Sequence, residues 1–292
     1  MSAALCNHDD SIEPADRPTE ADMSYASILV SLDTGPDTPD RARLAGGVAL
    51  RFEATLTGVA ARRIPSPVAV NDIQEAESLF AEEKAKLEEE LSCVRAVFER
   101  SVGEARVDWR SDMVAPVPFL VEQARGADLV IVGRRGIDDE DPGDMGVLPG
   151  PVLMEAGRPV LVVPPRIEQI QAARIVIAWK DTPEARRAIS GALPFIKRAD
   201  QVYVVTAGDD ARFEGAEDVA THLARHGAHV TTHLLARSDL AAADEILRFA
   251  ARHDADLVVM GAYDHSRLRE WLFGGATREI LRTTPVCCLM SH

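Results

Sequence analysis

The residues best suited to chemistry lie in one glycine-bearing stretch near the carboxyl end. Gly261 follows an apolar run, Leu257 to Met260, and Asp264, His265, Arg267, Arg269, Gly274, Gly275 and Thr277 come after it in order. Glycines at a strand end let backbone N–H groups come close to a ligand. A helix beginning at Gly275 or Ala276 points its free N–H groups and positive dipole end at an anion. Arg267 and Arg269 add cationic charge, and Thr277 offers a hydroxyl in the first helical turn. Together they suit a nucleotide phosphate. Glycine spacing alone fits equally well a pair of turn glycines ahead of an ordinary helix.

That stretch sits in the second of two copies. Ile28-Leu29-Val30-Ser31-Leu32-Asp33 is echoed by Ile175-Val176-Ile177-Ala178-Trp179-Lys180. Ala127-Asp128-Leu129-Val130-Ile131-Val132-Gly133 returns as Ala255-Asp256-Leu257-Val258-Val259-Met260-Gly261, and Arg158-Pro159-Val160-Leu161-Val162-Val163 as Thr284-Pro285-Val286-Cys287-Cys288-Leu289. The order is kept. A period of roughly 145 residues is far longer than the ~20–50 of solenoids and propellers, so a whole domain is duplicated.

Short apolar runs such as Ile28 to Leu32 read as strands buried on both faces, the habit of a parallel sheet. Helices are expected over 37–52, 73–98 and 117–125 in the first copy, and near 183–197, 215–226, 239–253 and 276–283 in the second. Strands are expected at 28–32, 54–59, 106–110, 129–132 and 160–163, then at 175–179, 202–206, 230–234, 257–260 and 286–290. Alternating strands and helices specify α/β architecture: two doubly wound domains, each a five-stranded parallel sheet with helices on both faces. In that class ligands bind beyond the carboxyl ends of strands where strand order reverses. The domains are set at 25–165 and 174–292, joined by a linker at 166–173 that Pro164-Pro165 introduces. Residues 1–24, rich in Asp and Glu without periodicity, read as a disordered acidic tail.

The duplicated Ile-Leu-Val start, the Ala-Asp-Leu-Val strand and the glycine loop resemble the universal stress protein family in its tandem, two-domain form, over about 24–291. The resemblance implies strand order 3-2-1-4-5 and pairing of the two fifth strands, an intramolecular version of a dimer. It also implies ATP or another adenine nucleotide, with Mg, held by a Gly-x2-Gly-x9-Gly-Ser/Thr loop and an aspartate ending the first strand. Carried over, the second-copy site comprises Ala178, Trp179, Lys180, Gly261, Asp264, His265, Arg267, Arg269, Gly274, Gly275 and Thr277. It departs from the pattern: Asp264 stands at the second glycine, Gly275 at the Ser/Thr, and Lys180 at the aspartate. The first copy keeps Asp33 and Gly133, Gly136 and Gly146, but its loop holds Asp138, Asp139, Glu140, Asp141 and Asp144. Several carboxylates facing a triphosphate, each pair worth roughly 1–4 kcal/mol at 4 Å, outweigh a helix dipole of ~0.3–1 kcal/mol. The first loop is therefore expected to be solvated and empty of ATP.

Composition narrows the rest. A formal net charge of -15 over 292 residues opposes nucleic-acid binding, which needs a basic footprint. No apolar run approaches the ~20 residues of a membrane span, and the start lacks a signal-peptide pattern, so a cytoplasmic location is expected. Four cysteines, two of them adjacent, do not form a disulfide framework. Cys287 and Cys288 point to opposite faces of a strand and read as packing residues, with oxidant sensing the alternative if one is exposed. His222, His226, His229 and His233 lack zinc-type spacing, so no metal is expected. No nucleophile–base–orienter set appears, which argues against an enzyme. The sequence thus points to a stress-response regulator that binds nucleotide in its second domain, with a homodimer as one assembly. The alternatives are a nucleotide-free scaffold acting through protein contacts and an adenine-nucleotide hydrolase-like enzyme.

Overall fold

The computed structural model describes residues 24–65, 73–136, 138–207, 215–235, 241–263 and 276–292. The acidic tail and most of the second glycine loop lie outside the described residues. The first half runs β1 (Ser27–Ser31), α1 (Thr38–Phe52), β2 (Thr55–Ala61), α2 (Ile73–Ser101), β3 (Arg106–Asp112), α3 (Pro116–Gln123), β4 (Leu129–Gly133), α4 (Pro149–Glu155) and β5 (Val160–Val163). The second runs β6 (Arg174–Ala178), α5 (Pro183–Ile196), β7 (Gln201–Ala207), α6 (Ala216–Arg225), β8 (Val230–Leu235), α7 (Ala242–Arg252), β9 (Leu257–Gly261), α8 (Ala276–Thr283) and β10 (Cys287–Ser291).

The strands form one ten-stranded sheet in the order β3-β2-β1-β4-β5-β10-β9-β6-β7-β8. Each half keeps the order 3-2-1-4-5. The pairing of the two fifth strands that the resemblance implies joins the two five-stranded parallel sheets into one: β5 and β10 pair antiparallel, Cys288 opposite Val162 and Met290 opposite Val160. The reason is physical: each is a short apolar strand whose bare edge would expose unpaired N–H and C=O groups. Helices α1, α2, α5 and α6 cover one face of the joint sheet through a continuous apolar cluster. Helices α3, α4, α7 and α8 cover the other.

Local sequence explains the elements. The repeated Ala-Asp-Leu motif is structural: Asp128 Oδ2 accepts the N–H groups of Ala26 and Ser27 at 2.8 and 2.9 Å. Asp256 Oδ2 does the same for Gln171 and Ala172 at 2.7 and 3.0 Å. Each carboxylate thus satisfies the chain where it enters the central strand of its half. Helix α5 starts at Thr182, whose hydroxyl accepts the N–H of Ala185 at 3.2 Å, with Pro183 in the first turn. Helix α4 was not anticipated from the sequence. Away from the sheet the halves are locked by Tyr25, Phe52 and Phe195 in edge-to-face contact at 5.0–5.7 Å, and the Tyr25 hydroxyl donates to the Gly191 carbonyl at 2.6 Å. Among the described residues no helix is long and apolar enough to cross a membrane.

Candidate functional site

Strand order reverses beside β1 in the first half and beside β6 in the second, so the crevices at the carboxyl ends of β1/β4 and β6/β9 are the sites to compare. In the first half the crevice is filled by the chain itself. Asp33 ends the first strand, and its Oδ1 accepts the Gly35 N–H at 2.9 Å and the Thr38 hydroxyl at 2.7 Å. Its Oδ2 takes Arg41 Nη2 at 2.6 Å, and Arg41 Nε also donates to the Ser31 carbonyl at 2.9 Å. Both side chains are buried, 8% and 6% exposed. Arg41 Nη1 presses on Gly133, where a Cβ would lie 2.6 Å from it. The remaining cavity, bounded by Asp33, Arg41, Gly133, Arg134 and Asp139, is about 20 Å³. That is room for about one water, against ~300–1,000 Å³ for a small-molecule site.

The acidic loop of this half is only partly solvated. Asp138, Glu140, Asp141 and Asp144 are exposed as expected. Asp139 corrects the expectation: its side chain is 5% exposed and paired with Arg134. Its carboxylate also takes the Gly136 N–H at 2.5 Å, so an internal anion sits on the turn at the second glycine of the loop pattern. Burial pushes the Asp139 carboxyl up, but the hydrogen bonds from Arg134 and Gly136 outweigh it and hold the group below the usual carboxylate range. Arg134 reaches across to the second half, where Nη1 donates to the Thr284 carbonyl at 2.9 Å, just past the end of α8. A guanidinium suits that place because the carbonyls ending a helix carry negative partial charge.

The second half places its predicted residues differently. Ala178 pairs in register with Met260 beside Gly261, and both pack toward the α7/α8 layer. Trp179 turns the other way, 5% exposed, into the α5/α6 core. Lys180 is exposed just beyond the strand, and its carbonyl accepts the Thr182 N–H at 2.7 Å. Thr277 is 5% exposed, and its hydroxyl accepts the Tyr263 N–H at 3.4 Å. That contact joins the first turn of α8 to the strand end at Gly261. Asp264, His265, Arg267, Arg269, Gly274 and Gly275 lie outside the described residues. In place of an arginine, Gly261 meets helix backbone: a Cβ there would lie 2.6 Å from the Ala185 nitrogen and 2.9 Å from Glu184. Glu184 itself is buried and receives Arg187 Nη2 at 2.8 Å.

Sequence reasoning missed Arg41 and the anchoring role of Asp139. It also missed a cleft of about 460 Å³ between α5 and α6, bordered by Trp179, Asp181, Arg186, Ile189, Gly215 and Asp218. The cleft lies beside α6, which spans 10 residues against the 29 of α2, its counterpart. Signal for Arg41 was present: it falls on the stripe Thr38, Arg41, Ala42, Ala45, Val48, Ala49, Phe52, the buried face of α1. A charge in an apolar stripe needs a buried partner, and Asp33 is it.

The remaining candidates resolve simply. His222 and His226 contact each other, with centroids 4.7 Å apart. His233 joins Tyr203, Phe249 and His253. Among the described residues no three His, Cys, Asp or Glu side chains could hold a metal ion. Cys287 and Cys288 are both buried, and burial pushes the Cys287 thiol up to about 12 and the Cys288 thiol higher still. Neither is accessible as a thiolate.

Comparison with known proteins bears on the family and the fold. A family model described as the Universal stress protein family matches residues 24–164 and again 172–292. Universal stress protein Slr1230 of Synechocystis is 26% identical over 168 residues, 54% of this chain and 56% of that protein. The match therefore spans about half the length of that curated relative. A universal stress protein structure from Archaeoglobus fulgidus superposes with a TM-score of 0.66 at 16% identity, covering 90% of this chain and 97% of the other. A functionally unknown protein from Pseudomonas aeruginosa PAO1 superposes with a TM-score of 0.52 at 17% identity, covering 91% and 92%. These likenesses concern the fold.

Proposed function

The chain belongs to the universal stress protein family in both halves, and from that premise we propose a cytoplasmic, non-catalytic stress-response regulator whose second half alone takes an adenine nucleotide. One observation carries this reading. The acid that would meet a nucleoside in the first half is buried against Arg41, and the space around it is about 20 Å³. Among the described residues the second half has no arginine at that place, and it sets an exposed cation, Lys180, at the end of its first strand. Lys180, with Arg267 and Arg269 from the sequence, offers positive charge to phosphates. Thr277, at the start of α8, offers a hydroxyl and a helix N-terminus. Mg would accompany the phosphates, and no residue is assigned to hold it.

Titration calorimetry of ATP with Mg into the full chain tests the proposal. One site per chain is expected, weakened by Lys180→Ala and by Thr277→Val and unchanged by Asp33→Asn. Binding lost in Asp33→Asn but intact in both second-half variants would overturn it. A second reading, a nucleotide-free protein acting through contacts, is favoured by the close packing of Glu184 and Ala185 on Gly261. Its signature is the absence of binding heat with any adenine nucleotide, and of any nucleotide in mass spectra of gently purified protein.

A further inference from the structure

Because β5 and β10 satisfy one another, the outer edges of the joint sheet are β3 and β8. Strand β3, Arg106-Val107-Asp108-Trp109-Arg110-Ser111-Asp112, is exposed at every position but Trp109, which is half-buried against Phe98 with ring centroids 6.0 Å apart. It pairs with β2 along its whole length. The Asp112 carbonyl faces β2, accepting the Arg62 N–H at 3.4 Å. By strand alternation the backbone N–H and C=O groups of Val107, Trp109 and Ser111 therefore point outward.

The side chains alternate as well. Arg106, Asp108, Arg110 and Asp112 share one face with signs that alternate along the strand. Among the described residues none of the four makes an ion pair. Arg106 donates to the Glu53 carbonyl, Arg110 to Gln123 Oε1 at 2.7 Å, and Asp112 accepts its neighbour's N–H at 2.7 Å. Asp108 has no hydrogen-bond partner among the described residues.

We propose that β3 is a self-association edge, pairing antiparallel with β3 of a second copy of this chain about a twofold axis at Trp109. In that register Asp108 faces Arg110 of the second copy, Arg106 faces Asp112, and Val107 faces Ser111. The outward backbone groups of Val107, Trp109 and Ser111 make the hydrogen-bonded pairs. The charges then fall at the non-hydrogen-bonded positions, where opposing Cα atoms are about 4.5 Å apart and side chains are closest. Moving the axis one residue either way sets Arg opposite Arg and Asp opposite Asp, so the charges exclude the adjacent registers. Of the registers that oppose unlike charges, the one centred on Trp109 pairs all four charged residues of the strand. Edge protection by charge requires only repulsion of any incoming strand. A pattern complementary to its own reversal goes further and specifies the partner. The other outer edge, β8, reads Val-Thr-Thr-His-Leu-Leu and carries no such code.

Sedimentation velocity of the full chain at low ionic strength, from low to high micromolar protein, reads the association. Wild type is expected to shift toward twice the chain mass, and added salt to reverse the shift. Asp108→Arg sets arginine against arginine twice and should weaken the dimer about tenfold or more. The double variant Asp108→Arg/Arg110→Asp restores opposite charges across the axis and should regain the dimer. Hydrogen exchange gives a second readout: the Val107, Trp109 and Ser111 amides should be protected in wild type and double variant and exposed in Asp108→Arg. A wild type that stays monomeric, a single variant that dimerises like wild type, or a folded double variant that stays monomeric overturns the proposal.

Discussion

The two halves put opposite charges at the end of their first strands and deal with them in opposite ways. In the first, Asp33 is buried and tied to Arg41, Thr38 and Gly35, and Asp139 occupies the glycine turn beside it. In the second, Lys180 is exposed, and the helix backbone at Glu184–Ala185 rests directly on Gly261. The half that keeps more letters of the nucleotide motif, Asp33 and all three loop glycines, is the half whose crevice is filled. A duplicated domain can therefore keep the residues of a motif and pack them against its own chain: Arg41 on the facing helix holds Asp33, and the Asp139 carboxylate holds the glycine turn.

The largest test of this contrast removes Arg41. Arg41→Met strands the Asp33 carboxylate in a buried place, and breaking a buried pair by deleting one partner costs about 3–5 kcal/mol. The double variant Asp33→Asn/Arg41→Met should recover most of that loss in urea unfolding. Lys180→Met at the matching position should change stability by no more than about 0.5 kcal/mol, as for other exposed substitutions. A small loss on removing Arg41 would mean that the first crevice is open to water, and the contrast would fail.

Glycines sharpen the same comparison at smaller scale. An alanine Cβ at Gly261 would lie 2.6 Å from the Ala185 backbone nitrogen, whereas at Gly133 it meets the end of the Arg41 side chain at the same distance. Backbone cannot move aside, so Gly261→Ala should cost about 1–3 kcal/mol by overpacking. Gly133→Ala should cost less, since a guanidinium can shift. Equal losses in thermal unfolding would show Arg41 to be as rigid as helix backbone.

Those residues also mark what was legible in the sequence. Apolar runs such as Val160 to Val163 identify central strands because burial on both faces leaves no room for polar alternation. The duplication made the two-domain organisation readable, and the resemblance supplied the strand order and the β5–β10 pairing. Helix α4 was not legible: it is short, and Pro149 and Pro151 read as breakers although proline fits a first turn. The burial of Asp139 was beyond local reading. Its neighbours Asp138 and Glu140 are exposed, and what distinguishes it is Arg134, anchored to a carbonyl 150 residues away. Six residues of the candidate second-half site, Asp264, His265, Arg267, Arg269, Gly274 and Gly275, lie outside the described residues. Of the rest, Trp179 turns into the α5/α6 layer whereas Ala178 packs toward α7 and α8, a split that strand alternation predicts only if the strand continues past Ala178.

The smallest expected effect separates the halves by their response to acid. Burial, with the neighbouring His253 second, lowers the pKa of His233, which packs among Tyr203, Phe249 and His253. Its folded pKa lies below the unfolded value of about 6.5, so the unfolded chain binds a proton that the folded chain resists. Stability in the second half should therefore fall as pH drops below about 6.5. Asp139 has the same sign in a lower window. Its depressed folded pKa contributes stability above the unfolded value of about 3.9 and loses it as pH falls through the folded pKa. Asp37, raised chiefly by burial, opposes it there, so Asp139→Asn is the control that isolates the Asp139 share. Hydrogen exchange, corrected for intrinsic rates, should then show β8 and α7 loosening between pH 7 and pH 5 while residues 133–136 stay protected. His233→Phe, which keeps a ring in the cluster, should remove the first change without touching the second. Parallel loosening of both regions near pH 6, unaffected by that substitution, would mean that the two halves titrate as one unit through the shared sheet.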